Sequence, residues 1–481
     1  MKNHVPELLT IPALKAGYER KAFTPEEVLS AILSRVKAHK DNPIWIAPPE
    51  EKWLTTYLRK LPPMNFSKYP LWGIPFAIKD NIDIEGLPTT AACPAYSYMP
   101  EKSAFVVERL ITAGAIPLGK TNLDQFATGL VGMRSPYGEV KNAWQPECIS
   151  GGSSSGSAVS VALGQAAFSL GTDTAGSGRV PAMLNTLIGY KPPIGAWSSA
   201  GVVPACQSLD CVTVFAHSLE EVELVDQVAR AVDPDCTWSR ALPLKAERLP
   251  EKILLPKDTP TFYGPWAENY QRKWMHALHL FAQSGSKIEY IDTSFFSKAA
   301  SLLYDGAYVA ERWADLGEFV TACEDDIFPV TKEILKSGGR EELTAARLFK
   351  DFHQLSIYRK QAKQQLENAV LVLPTAGGSF TRDEVRENPI ETNSQMGLYT
   401  NHCNLLDLAA IAIPENHEDH DHPFGITCFS LHDQEQLIRA LAREFLKAAD
   451  TERGEGTSCI PTGNRLSTGE KNRLCGAMMI K

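Results

Sequence analysis

Apolar positions along the chain follow two patterns, one helical and one of short unbroken runs. Over 24–38, Val28, Leu29, Ile32, Leu33 and Val36 recur at helical spacing. They follow Thr24-Pro25-Glu26-Glu27, which supplies a hydroxyl N-cap, a proline at the first helical position and early acids. Similar stretches predict helices over Ala104–Ala113, Val159–Leu170, His217–Val232, Trp266–Ser284 and Gln434–Ala449. Continuous apolar runs at Ile74–Ile78, Ala115–Leu118, Val370–Pro374, Ala409–Pro414 and Phe424–Phe429 predict buried strands. This alternation predicts the α/β class.

The texture changes after residue 214, where amphipathic stretches are joined by a proline-rich connection (Pro243, Pro250, Pro256, Pro260). The expected organisation is a helical N-terminal segment over 1–60 and a core over 61–450, with a helical insertion around 217–365. Residues 451–481 carry five glycines and little apolar periodicity, which predicts a poorly ordered tail.

Composition narrows the function. Hydrophobic content of 44% and charged content of 22% fit a soluble globular protein, and a net charge of -9 disfavours nucleic acid as a partner. The N-terminus has no signal-peptide pattern, and the apolar runs are too short to span a bilayer. No membrane partner is expected, and the expected location is the cytoplasm. Ten cysteines without a C-x-x-C pair point to neither zinc nor a disulfide framework. His417-Glu418-Asp419-His420-Asp421-His422 is read as a solvated loop, so no metal and no cofactor is expected.

Three segments carry candidate chemistry: Pro75-Phe76-Ala77-Ile78-Lys79, Gly151-Gly152-Ser153-Ser154-Ser155-Gly156-Ser157, and Gly171-Thr172-Asp173-Thr174-Ala175-Gly176-Ser177-Gly178-Arg179. A serine becomes a good nucleophile only when a neighbouring base takes its proton. Lysine can be that base if burial keeps it neutral, and the end of an apolar strand offers such a place. Asp80 follows Lys79, but successive strand side chains point to opposite faces. Taken alone, the Gly/Ser run also fits other devices. Its glycine spacing is near that of a P-loop, with Ser157 where the lysine should stand. Gly152-Ser153-Ser154-Ser155-Gly156 also fits a G-x-S-x-G nucleophile elbow centred on Ser154.

Together and in this order, the three segments resemble the amidase signature family over roughly residues 20–450. The resemblance implies a central mixed β-sheet flanked by helices on both faces, and amide hydrolysis by a Ser–Ser–Lys triad. Ser177 is implied as nucleophile, Ser153 as bridge and Lys79 as base. Backbone N–H groups of Thr174, Ala175, Gly176 and Ser177 are implied as oxyanion donors, with Gly129 and Ser154 lining the substrate site.

Leu302–Arg312 resembles the recognition helix of the allophanate hydrolase subgroup, in which a Tyr and an Arg eight residues apart hold the substrate carboxylate; Tyr304 and Arg312 have that spacing. In a regular helix this is a rise of roughly 12 Å with about 80° of rotation, so a shared small ligand requires a break near Gly306. The alternative is a solvent-facing arginine paired with Glu311 or Asp315. Ser208–Ala216 and Pro374–Gly377 also resemble the subgroup, and Met133–Gly138 is a candidate for the far wall of the pocket. Members usually carry a further C-terminal domain, which the 31 residues after 450 are too few to form. The expectation is a homodimeric hydrolase of allophanate, a small anionic amide. The alternatives are another small-molecule amidase, an amidotransferase subunit, or a non-catalytic scaffold.

Overall fold

The computed structural model describes residues 5–456. The eleven strands among them are β1 (Trp45–Ala47), β2 (Pro75–Lys79), β3 (Ile116–Thr121), β4 (Phe168–Asp173), β5 (Ile188–Lys191), β6 (Cys211–Ala216), β7 (Lys252–Pro256), β8 (Lys287–Ile291), β9 (Ala369–Pro374), β10 (Leu408–Pro414) and β11 (Gly425–Leu431). They form one sheet in the order β1-β3-β2-β4-β6-β5-β10-β11-β9-β7-β8.

The sheet is mixed. β3, β2 and β4 run parallel, as do β9, β7 and β8, while the strands between them alternate in direction. Each parallel neighbour needs a crossover, supplied by the helix Phe105–Thr112 between β2 and β3 and by Ala267–Ala282 between β7 and β8. Every residue of β2, β3, β4, β6, β9, β10 and β11 is buried, so both faces of the central sheet are covered. That is the physical reason β2, β9 and β10 read as nearly unbroken apolar runs. The edge strand β8 is half exposed and carries Glu289, which Lys287 and Lys252 reach at 2.7 and 3.1 Å. Charges of this kind discourage further strand pairing.

The predicted strands at 74–78, 115–118, 370–374, 409–414 and 424–429 all lie in this sheet. The helix Pro25–Ala38 forms with a complete capping box between Thr24 and Glu27. Three expectations are corrected. Val159–Leu170 is not one helix: Ser155–Ala162 ends before Gly164 (φ +61°), and the chain re-enters the sheet as β4. The segment 217–365 is not purely helical, because it contributes β7 and β8, and 1–60 contributes β1. The last helix runs Glu435–Gly456, past residue 450. The rest of the expected tail, 457–481, lies outside the described residues.

Candidate active site

Lys79 ends β2 with its side chain fully buried. Its Nζ donates to Ser153 Oγ and to Thr172 Oγ1 on the adjacent strand β4, both at 2.7 Å. Burial pushes the ammonium down to about 7, although Asp124, Asp210 and Asp173 act in the opposite direction. Desolvation therefore outweighs three carboxylates, because none of them touches Nζ. Asp80 points elsewhere, as strand alternation requires, and its carboxylate pairs with Lys120 at 3.1 Å.

Ser153 precedes the helix Ser155–Ala162, after a cis Gly152–Ser153 peptide bond. Gly152 is required there, since a Cβ would lie 2.0 Å from the Asp124 carboxylate. Asp124 in turn accepts the N–H groups of Gly132 and Arg134 at 3.0 and 2.8 Å, which folds the 124–134 loop over the site.

Ser177 lies in the turn after β4 and is 4% exposed. Its Oγ lies 3.5 Å from the Gly129 carbonyl, its one hydrogen-bond partner among the described residues. The turn is built around Asp173, whose carboxylate accepts Gly176 N–H at 2.8 Å, Gly178 N–H at 3.0 Å and the Arg179 guanidinium at 2.8 and 3.0 Å. Burial pushes Asp173 up, but Arg179 and these donors hold it below its ordinary value. Gly176 takes φ +132°, and a Cβ there would sit 2.3 Å from Thr400 Oγ1, so only glycine fits. Asp173→Asn is expected to cost about 3–5 kcal/mol, since it strands the fully buried Arg179 charge. A fall in melting temperature far beyond that of a surface Asp→Asn control would verify this.

The four implied oxyanion donors separate into two groups. The N–H of Gly176 is committed to Asp173, which corrects its assignment as a donor. Among the described residues, the N–H groups of Thr174, Ala175 and Ser177 have no acceptor in the protein. Thr174 Oγ1 donates to Asp210, which burial pushes up to about 6. Ser154 is also corrected as a substrate contact through its side chain. Its hydroxyl donates to the Thr172 carbonyl at 3.1 Å and is fully buried against β4. That placement equally removes Ser154 Oγ as the nucleophile of an elbow, since it faces the strand.

Tyr304 and Arg312 come together. The helix Ser294–Ser301 ends before Tyr304 and a second begins at Val309, so the chain breaks around Gly306 as the shared-ligand argument requires. The Arg312 guanidinium lies over the Tyr304 ring, 5.3 Å from its centroid. Arg312 is 1% exposed, donates to Thr128 Oγ1 at 3.0 Å, and makes no ion pair among the described residues. Glu311 is spent on Ser208, whose N–H and Oγ it accepts at 2.7 Å, so the surface pairing does not form. Tyr304, Arg134, Asn393 and Asn401 line a cavity of about 510 Å³. Of the 133–138 segment, Arg134 alone lines this cavity.

Thr172, Asp173, Arg179, Thr128 and Thr400 were not singled out by sequence reasoning. Asp173 and Arg179 had a signal, a carboxylate and a guanidinium bracketing the catalytic-type turn. Thr128 and Thr400 had none, since ordinary threonines gain their role only from long-range packing. The His417–His422 loop is dispersed. His417 faces the Thr186 carbonyl, His420 stacks on Trp144, and Asp419 pairs with Lys273 at 2.5 Å. No group of His, Cys, Asp and Glu suited to a metal occurs among the described residues, nor any helix long and apolar enough to cross a membrane.

The family described as Amidase matches residues 27–438. The urea amidolyase of Lachancea kluyveri is 40% identical over 89% of this chain, which spans 24% of that protein. That of Saccharomyces cerevisiae is 41% identical over 80% of this chain, spanning 21% of it. The chain thus covers about a quarter of these relatives or less. A glutamyl-tRNA(Gln) amidotransferase subunit from Methanosarcina acetivorans is 32% identical, with 79% of this chain and 85% of that protein aligned. Among solved structures, Kluyveromyces lactis allophanate hydrolase superposes with a TM-score of 0.85 at 38% identity, over 92% of this chain and 72% of the other. The chain belongs to the amidase signature family of amidohydrolases.

Proposed function

We propose that this chain hydrolyses allophanate, a small planar amide bearing a carboxylate, through Ser177, Ser153 and Lys79. One observation carries the choice of substrate class. Arg312 is buried without a carboxylate partner among the described residues, and its anchor Thr128 is the residue before Gly129, which touches Ser177. A fixed positive charge therefore lies one residue from the nucleophile's contact. A guanidinium matches a carboxylate in shape and charge.

In the reaction, Ser177 Oγ attacks the terminal amide carbon while its proton passes through Ser153 to neutral Lys79. The free N–H groups of Thr174, Ala175 and Ser177 receive the developing oxyanion. Lys79 returns the proton through Ser153 to the leaving nitrogen, and ammonia departs. Water then cleaves the acyl-enzyme by the same route, and the N-carboxycarbamate released loses carbon dioxide. The likeness to urea amidolyases and to allophanate hydrolase supports this reading.

The amidotransferase relative favours a second reading, hydrolysis of glutamine. Glutamine is a zwitterion whose α-ammonium sits beside its α-carboxylate and weakens the attraction of Arg312, whereas allophanate carries only negative charge. Ammonia release from allophanate, biuret, malonamate and glutamine, measured side by side, tests the assignment. Allophanate is expected to give the highest kcat/KM; a preference for glutamine or for neutral biuret would overturn it.

A further inference from the structure

A second buried arginine, Arg134, lines the cavity whose wall includes Tyr304, the ring that Arg312 stacks on. Arg134 is 3% exposed, and like Arg312 it makes no ion pair among the described residues. Its Nη1 donates to the Thr128 carbonyl at 3.0 Å and its Nη2 to the Pro389 carbonyl at 2.9 Å. Its Nε is buried and has no partner among the described residues, and the same is true of Arg312 Nε. Thr128 thus joins the two guanidiniums, giving its carbonyl to Arg134 and its hydroxyl to Arg312.

Two buried like charges on one threonine are costly unless an anion offsets them. The buried carboxylates of Asp124 and Asp210 act on Arg134 and Arg312 through space, but no carboxylate contacts either guanidinium among the described residues. Asp124 accepts the backbone N–H of Arg134 rather than its side chain, while Asp305 and Glu333, which also line the cavity, are exposed to solvent and pair with neither arginine. Each guanidinium thus lacks a carboxylate in contact, which leaves room for an anionic ligand to complete the pairing.

We infer that Arg134 is a second carboxylate-binding residue, and that Arg134 and Arg312, joined through Thr128, together hold the substrate's anionic end, with Tyr304 against it. This rests on the proposed reading of the chain as a hydrolase of a carboxylated amide. It makes the site selective for a compact delocalised anion over a neutral amide of equal size.

Malonate, a small dicarboxylate without a cleavable amide, serves as the probe. Its inhibition constant is measured with the wild-type chain, Arg312→Gln, Arg134→Gln and Arg134→Lys. Arg134→Gln should raise that constant about 10–100-fold, comparably to Arg312→Gln. Arg134→Lys, which keeps the charge, should recover part of the loss. An Arg134→Gln value within twofold of wild type, with Arg312→Gln impaired, would overturn the role of Arg134 and leave the proposed function standing. Wild-type enzyme indifferent to malonate and slow on allophanate would overturn both. Because Arg134 also ties Thr128 to Pro389, its variants can fail by misfolding. A crystal structure of the unaltered protein with malonate answers that case. Carboxylate oxygens in hydrogen-bond contact with both arginines are expected, and contact with Arg312 alone would refute the inference.

Discussion

Lys79→Ala is expected to lower kcat by about 10³-fold or more, and Lys79→Arg is expected not to restore it. Both results follow from the environment of Nζ, which is fully buried, bonded to Ser153 and Thr172 at 2.7 Å, and pushed down to about 7 by desolvation. A base must be neutral to accept a proton, and a guanidinium stays protonated at every workable pH. The pH profile carries the same sign. On the proposed mechanism the ammonium form is inactive, so kcat/KM is expected to rise as Lys79 loses its proton through about pH 7 and to level off above it. A profile that falls through this range, or an arginine variant with near-wild-type turnover, contradicts the neutral-lysine account.

The second large effect concerns selectivity. Under the proposed function, Arg312→Gln is expected to raise KM for allophanate, with a loss of about 2–5 kcal/mol in transition-state binding, because the proposed substrate's carboxylate is left without its fixed counter-charge. A neutral amide has no such charge to strand, so its kcat/KM moves far less. Steady-state kinetics on allophanate and on an uncharged amide of similar size separate the outcomes. Equal losses on both substrates would make Arg312 structural.

Much of this site was legible in the sequence because its parts are local. Lys79 ends an apolar run, Ser153 and Ser177 sit in glycine-rich segments, and each pattern survives without knowledge of the fold. The break at Gly306 was also accessible, since a straight helix cannot bring Tyr304 and Arg312 to one ligand. Sequence spacing could not reveal which backbone donors remain free. Asp173 captures the N–H of Gly176, and that depends on the Arg179 fork holding the carboxylate in place. Ser154 stands next to Ser153 yet faces β4, which is a matter of helix entry angle rather than composition. The misread helix at Val159–Leu170 has the same origin. Small apolar residues suit a buried strand as well as a buried helix, and only Gly164 marks the change. In the sheet, β7 was hidden because its partner β9 lies more than a hundred residues downstream, and β8 because it is a half-exposed edge strand without an apolar run.

The most direct test of the account is the identity of the acylated residue. An amide-mimicking acylating inhibitor, or substrate rapidly quenched in acid, is followed by peptide mass spectrometry on wild-type enzyme and on Ser177→Ala. The account predicts the adduct on Ser177 in the wild type, no adduct in Ser177→Ala, and slow labelling at the same position in Lys79→Ala. An adduct on Ser153 or Ser154, or turnover that persists in Ser177→Ala, would contradict it.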